Sequence, residues 1–370
     1  MRRALLLLLA LMILLCGCSK ASVDESGLPM ITPSGMVRSA TQAISSTAVP
    51  SATPTAPTLT PTFTVTPTQT PTPTPPPMSI QAMRARTYPG SDIVIEKELD
   101  PGANYRRFYA SYLSEGLKIY TLLTLPNGEM PAGGWPGIVF NHGYIPPKEY
   151  RTTERYIAYV DRLARAGYIV FRIDYRGNDR SEGVATGAYG DPGYTVDVLN
   201  AVASLQRLPQ ANPQKIGMWG HSLGGFLTLR AMVISDAIKV GVIWSGVVGS
   251  YSDLLYNWHR RGPTPTPPSE ARGWRATWID QYGTPEQNPG FWNSVSANAY
   301  LTDLSGPLQL HHGTADTEVP LAFSQKLAAD IRATGGIVDL YTYSGNDHNL
   351  SQSFDLAMNR TIKIFDRYLK

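Results

Sequence analysis

KIGMWGHSLGGFLTL, Lys215 to Leu229, decides the fold. An apolar run ends at Gly220, Ser222 stands between glycines two residues before and two after it, and a second apolar run follows. A G-x-S-x-G pattern alone is weak, because an ordinary turn serine satisfies it. Context separates the two readings. KIGMWG reads as a strand and SLGGFLTLRAMVI as a helix, so Ser222 falls at the strand-to-helix corner that a nucleophile elbow requires. Gly220 and Gly224 relieve crowding at that corner, and Gly224 with Gly225 lets the helix pack closely on the sheet. The first amides of the helix and its dipole favour negative charge beside the serine.

Working outward, strands and helices take turns. GIVFNHG is a short buried strand, and TTERYIAYVDRLARAG is a helix whose Tyr156, Tyr159, Val160, Leu163 and Ala164 recur at three and four, with Gly167 as its stop. YIVFRIDYRG, KVGVIWSG, PLQLHHG and IVDLYTYS read as further strands. YTVDVLNAVASLQRL, PLAFSQKLAADIRATGG and FDLAMNRTIKIFDRYLK read as helices, the second opened by Pro320 and closed by Gly335 and Gly336. Ahead of them SDIVIEKEL, YRRFYASYL and LKIYTLLTLP read as strands, the last two joined by a turn at SEG. The alternation predicts an α/β fold with a mostly parallel sheet covered by helices on both faces, and chemistry at the carboxyl ends of its strands.

A serine hydroxyl needs a base, and the base needs an orienting group. Of the six histidines, His221 adjoins the serine and would point elsewhere, His142 precedes it in a loop suited to another task, His259 lies in an irregular stretch, and His311 and His312 end a strand. His348, in SGNDHNLS after the final strand, is the expected base. Asp316, in PLQLHHGTADTEVP, follows the carboxyl end of another strand and is the expected acid. Asp303 precedes that strand, and Asp347 is too close along the chain to His348 to face its ring. The order Ser222, Asp316, His348 matches neither the chymotrypsin nor the subtilisin order. The oxyanion donors are expected to be the amides of Leu223, which opens the helix, and Tyr144, which follows Gly143 in NHGYIPP. His311 and His312 read as structural, since neighbouring strand residues face opposite ways and no third ligand is near. No metal or organic cofactor is implied. Asp174 and Arg176 read as braces of the fold.

The first eighty residues read differently. Arg2 and Arg3 precede the apolar run Ala4 to Leu15, the layout of an export signal, too short to span a bilayer as a mature helix. LCGCSK, with Leu15 three residues before Cys18 and Gly17 just before it, resembles the lipobox of bacterial lipoproteins, so residues 1–18 are expected to be a lipoprotein signal and Cys18 its lipidation site. Localisation on the outer face of a bacterial membrane follows. Both cysteines lie in this segment, so the rest of the chain has no thiol or disulfide chemistry. Residues 19–79, rich in Thr, Pro, Ser and Ala, read as a disordered tether, and 80–370 as the catalytic domain. Without Arg2 and Arg3 there are 30 basic residues against 29 acidic ones, with no basic run, which argues against nucleic acid as a partner. Oligomeric state is not legible.

Residues 117–370 resemble the α/β-hydrolase superfamily and, more closely, the catalytic domain of the prolyl oligopeptidase family with its dienelactone-hydrolase-like relatives. GLKIYTLLTLP, GIVFNHG, DYRGNDRSEG, GMWGHSLGG, HHGTADTEVP and SGNDHNL carry the resemblance, in that order. It implies an α/β-hydrolase fold, a serine hydrolase acting on a small ester or short peptide through an acyl-enzyme, and a triad at Ser222, Asp316 and His348. The sequence departs from the pattern in three ways: HGG is replaced by HGY, no size-filtering β-propeller precedes the domain, and no acidic pair for a peptide amino terminus is identifiable. A carboxylesterase without peptidase activity and a catalytically silent binding module are the alternatives. Residues 250–300 form an aromatic-rich insertion with Trp258, Trp274, Trp278 and Trp292, read either as a cap over the site or as packing against the sheet.

Overall fold

Each strand of the central sheet sorts its side chains between two apolar layers, because successive residues point to opposite faces. In the strand Trp135–Asn141, Ile138 and Phe140 join one buried cluster and Val139 the other. In Ala211–His221, Met218 and Trp219 divide in the same way. The computed structural model describes residues 75–258 and 273–370, which fall in one unit of the chain. The expected signal peptide with Cys18, most of the expected tether, His259 and part of the aromatic insertion lie outside the described residues.

The described strands are β1 (Val94–Leu99), β2 (Tyr105–Ser114), β3 (Leu117–Pro126), β4 (Trp135–Asn141), β5 (Ile169–Ile173), β6 (Ala211–His221), β7 (Ile238–Trp244), β8 (Leu308–Gly313) and β9 (Val338–Tyr343). They form one sheet in the order β1-β2-β3-β5-β4-β6-β7-β8-β9. The first three strands and the β3–β5 pair are antiparallel, and every pairing from β5 to β9 is parallel. The hairpin at SEG is a two-residue turn in which Glu115 and Gly116 both have positive φ, the twist-matched form for such a loop.

The described α-helices are α1 (Ile80–Ala85), α2 (Ile157–Arg165), α3 (Gly193–Arg207), α4 (Leu223–Ile234), α5 (Tyr251–Tyr256), α6 (Trp274–Tyr282), α7 (Pro289–Val295), α8 (Leu321–Ala333) and α9 (Phe354–Leu369). Apolar residues of α1, α3, α4 and α8 share one cluster, and those of α2 and α9 share the other. The sheet is thus covered on both faces, as the alternation predicts. Helix α4 is buried almost all round, which suits a helix enclosed by the sheet and its neighbours.

Chain order reverses around β4, whose two neighbours are β5 and β6. At such a switch point the connections leave in opposite directions and open a crevice at the carboxyl ends. Register sets the two rims level: Asn141 of β4 pairs with Gly220 of β6, so the loop starting at His142 lies beside Ser222.

The insertion supplies α5, α6 and α7. Trp274, Trp278 and Trp292 are buried and pack with Tyr251 and Phe291; Trp278 stacks on Tyr251 with centroids 5.4 Å apart. The three rings belong to the larger buried core cluster.

Candidate active site

Ser222 is the sole residue between β6 and α4, and it turns the chain with φ 55° and ψ −117°. Such a conformation costs a side-chain-bearing residue about 1–3 kcal/mol, and it persists only where the surroundings enforce it. Its N–H donates to the Trp244 carbonyl at 3.0 Å, and its own carbonyl accepts from Gly225 and Val247, each at 3.0 Å. The flanking glycines are sterically obligatory. A Cβ on Gly220 would collide with the carbonyl of Gly224, and one on Gly224 with the backbone of Asn141.

Asp316 and His348 come from the loops after β8 and β9. His348 Nδ1 lies 2.8 Å from Asp316 Oδ2. The other carboxylate oxygen accepts the backbone N–H groups of Glu318 at 2.8 Å and Val319 at 3.0 Å. His312 Nε2 stands 3.1 Å from Oδ2 and also 3.0 Å from the Val319 carbonyl, which can only accept, so this nitrogen carries its hydrogen. Burial alone would raise the Asp316 pKa, yet the hydrogen bonds from His312 and His348 outweigh it and hold the carboxyl well below the usual range. An ionised Asp316 fixes the hydrogen of His348 on Nδ1 and leaves Nε2 as an acceptor. Ser222 and His348 line the same cavity, about 530 Å³ in volume, with Tyr144, Tyr156, Arg155 and Glu318 also in its wall.

The loop after β4 forms the other rim. Gly143 approaches so closely that a Cβ there would press on the Tyr156 hydroxyl, His221 Nδ1 and the Ser222 Cβ. His142 Nδ1 lies 2.7 Å from the Gly143 carbonyl and must donate to it. Because the peptide unit is planar and trans, this turns the Tyr144 N–H away from His142. The His142 ring is sandwiched by Tyr150 and Tyr175, at centroid distances of 4.3 and 4.4 Å, and Tyr175 donates to its carbonyl at 2.8 Å. Burial pushes the His142 pKa down to about 3, so the ring stays neutral. Leu223 begins α4, where the first amides have no partner in the helix itself.

The rejected candidates are engaged elsewhere. Asp347 caps Ser351 through both carboxylate oxygens, and Asp303 pairs with Arg84. His311 lies 2.7 Å from both Tyr343 Oη and Gln309 Oε1. Arg176 braces Asp197 at 2.7 Å, and Asp174 accepts from Tyr150 and Thr152 at 2.7 and 2.6 Å. Among the described residues, no group of three or more His, Cys, Asp or Glu is placed to hold a metal ion.

Comparison with known proteins decides the family. The profile of the prolyl oligopeptidase family matches residues 155–369. The chain belongs to the prolyl oligopeptidase family. It is similar to the uncharacterized peptidase YtmA of Bacillus subtilis, 26% identical over 259 residues, covering 69% of this chain and 92% of that protein. A probable dipeptidyl-aminopeptidase B of Fusarium vanettenii is 28% identical over 222 residues, covering 57% of this chain but 22% of the relative. Among solved structures, the acylaminoacyl peptidase of Pyrococcus horikoshii has a TM-score of 0.56 at 25% identity, covering 72% of this chain and 42% of that one. Acetyl xylan esterase 1 from Thermoanaerobacterium sp. JW/SL YS485 has a TM-score of 0.57 at 15% identity, covering 77% and 90%, and shares the fold.

Membership of the prolyl oligopeptidase family makes the chain a serine hydrolase of the peptidase or esterase kind. Three residues of this family member's site escape sequence reasoning. His312 reads as half of a structural pair, yet it flanks Asp316. His221 reads as pointing elsewhere, yet it is wedged between Tyr156 Oη at 2.7 Å and the His348 carbonyl at 3.0 Å. Tyr156 reads as one aromatic of a helical stripe, yet it accepts the Gly143 N–H at 2.9 Å. No periodicity or motif signals these roles, which arise from how the loops fold and, for His221, from groups 65 and 127 positions away.

Proposed function

We propose that the chain hydrolyses a small ester or short peptide bond through an acyl-enzyme formed on Ser222. The carrying observation is the 2.8 Å contact between His348 Nδ1 and Asp316 Oδ2 in a loop whose ring shares a cavity with Ser222. In this reading His348 Nε2 takes the hydroxyl proton as Ser222 Oγ attacks the acyl carbon. The imidazolium, stabilised by Asp316, returns that proton to the departing alcohol or amine as its bond to the acyl carbon breaks. Water then repeats the sequence and frees Ser222. The amides of Leu223 and Tyr144 receive the oxyanion, since Gly143 has already committed its N–H to Tyr156. A cavity of about 530 Å³ is in the range for small-molecule sites.

The same proposal places the protein on the outer face of a bacterial membrane, tethered by lipidated Cys18 through residues 19–79. Support comes from the lipobox-like LCGC and the Thr/Pro-rich stretch after it. Cys18→Ala should release the protein from the membrane fraction, and unchanged association would reject the tether.

Kinetics on short-chain and aromatic esters beside proline- and alanine-containing peptide amides tests the reaction. Turnover of at least one class, reduced by on the order of 10⁴-fold or more in Ser222→Ala, is expected. Turnover that survives the substitution would end the proposal, and turnover of esters alone would select the esterase reading.

A further inference from the structure

Four groups, two from the β4–α2 connection, one from the end of β6 and one from the loop after β9, are joined by consecutive hydrogen bonds, and their directions can be assigned throughout. The His348 carbonyl can only accept, so His221 Nε2 carries the hydrogen in the 3.0 Å contact between them. Burial pushes the His221 pKa down to about 3, so the ring is neutral and its Nδ1 is an acceptor. Tyr156 Oη, 2.7 Å away, therefore donates to Nδ1. The same phenolic oxygen accepts the Gly143 N–H at 2.9 Å. The chain thus runs Gly143 N–H to Tyr156, Tyr156 to His221, and His221 to the backbone of His348, with no member in conflict.

Tyr156 is placed for this at a conformational cost. It precedes α2 with φ 58° and ψ 25°, a left-handed conformation that is unusual for a bulky residue. Strain of this kind is retained where the surroundings over-determine it, and it clusters at functional sites. The ring is fixed edge-on to Phe140 at 5.5 Å and Trp219 at 6.2 Å, so the hydroxyl is held by packing as well as by its two partners.

We propose that Tyr156 and His221 are positioning residues that tie the Gly143–Tyr144 loop to the loop carrying His348, so that oxyanion donor and base are set at a fixed separation across Ser222. The inference rests on the acyl-enzyme reading above. Neither side chain exchanges a proton with substrate. Tyr156 fixes the peptide plane entering Gly143, His142 fixes the one leaving it, and His221 fixes the base loop from beneath. Misplacement of a reacting group by about 1 Å costs on the order of 10²-fold in rate, so the bridge should be read in kcat.

Kinetics of Tyr156→Phe, His221→Gln and the double variant test it, with Tyr168→Phe as a control. Tyr168 also loses a hydroxyl bond, to Asp366 at 2.7 Å, in a partner pair that does not line the cavity. Tyr156→Phe should lower kcat by on the order of 10- to 100-fold with KM within about threefold. His221→Gln, which keeps a donor for the His348 carbonyl, should fall in the same range, and the double variant should lose little beyond the worse single one. Tyr168→Phe should keep wild-type kcat. Should Tyr156→Phe not fold, the kcat of His221→Gln decides alone. Wild-type kcat in a folded variant, or losses that multiply in the double variant, would overturn the bridge while wild-type labelling of Ser222 by a fluorophosphonate stands. Absence of that labelling would instead bring down the acyl-enzyme reading and the bridge with it.

Discussion

Asp316 is kept ionised by donors on both of its oxygens: two backbone amides on one, and the rings of His348 and His312 on the other. Its charge is what locks the His348 tautomer, so removing the charge while keeping the shape separates orientation from packing. Asp316→Asn should leave KM nearly unchanged and lower kcat on the order of 10³- to 10⁴-fold, measured by steady-state kinetics at neutral pH. A loss below tenfold would remove Asp316 from the proposed triad. The placement of Ser222, Asp316 and His348 after the carboxyl ends of strands is legible in the sequence, because local alternation fixes those locations. The contacts of Tyr156, His221 and His312 are not: the partners of Tyr156 and His221 lie 13 to 127 positions away, and His312, only four positions from Asp316, meets it through a loop conformation that periodicity does not encode.

At the scale of elements, close approach of β4, β6 and α4 makes the corner at Ser222. Gly224 abuts the backbone of Asn141, so a methyl group there must push α4 away from β4 and widen the crevice. Gly224→Ala should cost about 1–3 kcal/mol in denaturant unfolding and reduce turnover at least tenfold. Gly335, with φ 79° and nothing near its absent Cβ, is the comparison. Gly335→Ala should cost about 1 kcal/mol, from strain alone, and leave turnover intact. Equal effects of the two substitutions would mean that close packing at the elbow is not what matters. The strands and helices around this corner follow from periodicity and glycine stops. Strand order does not. Only the pairing of β4 with both β5 and β6 creates the switch point, and no local pattern encodes which strands become neighbours. The aromatic insertion shows the same limit: its tryptophans could line a cavity or fill a core, and α5, α6 and α7 bury the three that are described between 273 and 370.

Across the whole molecule, burial of titratable groups sets how stability responds to pH. His142, His221 and His311 have pKa values pushed down to about 3 by burial, whereas an unfolded histidine titrates near about 6.5. The unfolded chain therefore binds three protons first, and stability is lost as pH falls from about 6.5 toward 3. Asp174 opposes them: burial raises its pKa to about 7, so the folded state binds a proton that the unfolded chain releases above about 4. Asp197, its pKa also raised by burial, opposes them in the same direction as Asp174; the three histidines still leave a net loss of stability as pH falls from 6 to 5, measured by urea unfolding. Asp174→Asn should steepen that slope by removing one opposing group, and a stability that is flat over this interval would contradict the burial account. The central claim, that Ser222 is the nucleophile, is tested most directly by treating the full-length protein with a fluorophosphonate and locating the adduct by tandem mass spectrometry. One phosphonyl group per chain on the peptide containing Ser222, absent in Ser222→Ala and slowed in Asp316→Asn, is the predicted result; folded protein that remains unlabelled, or carries its label on another residue, would contradict it.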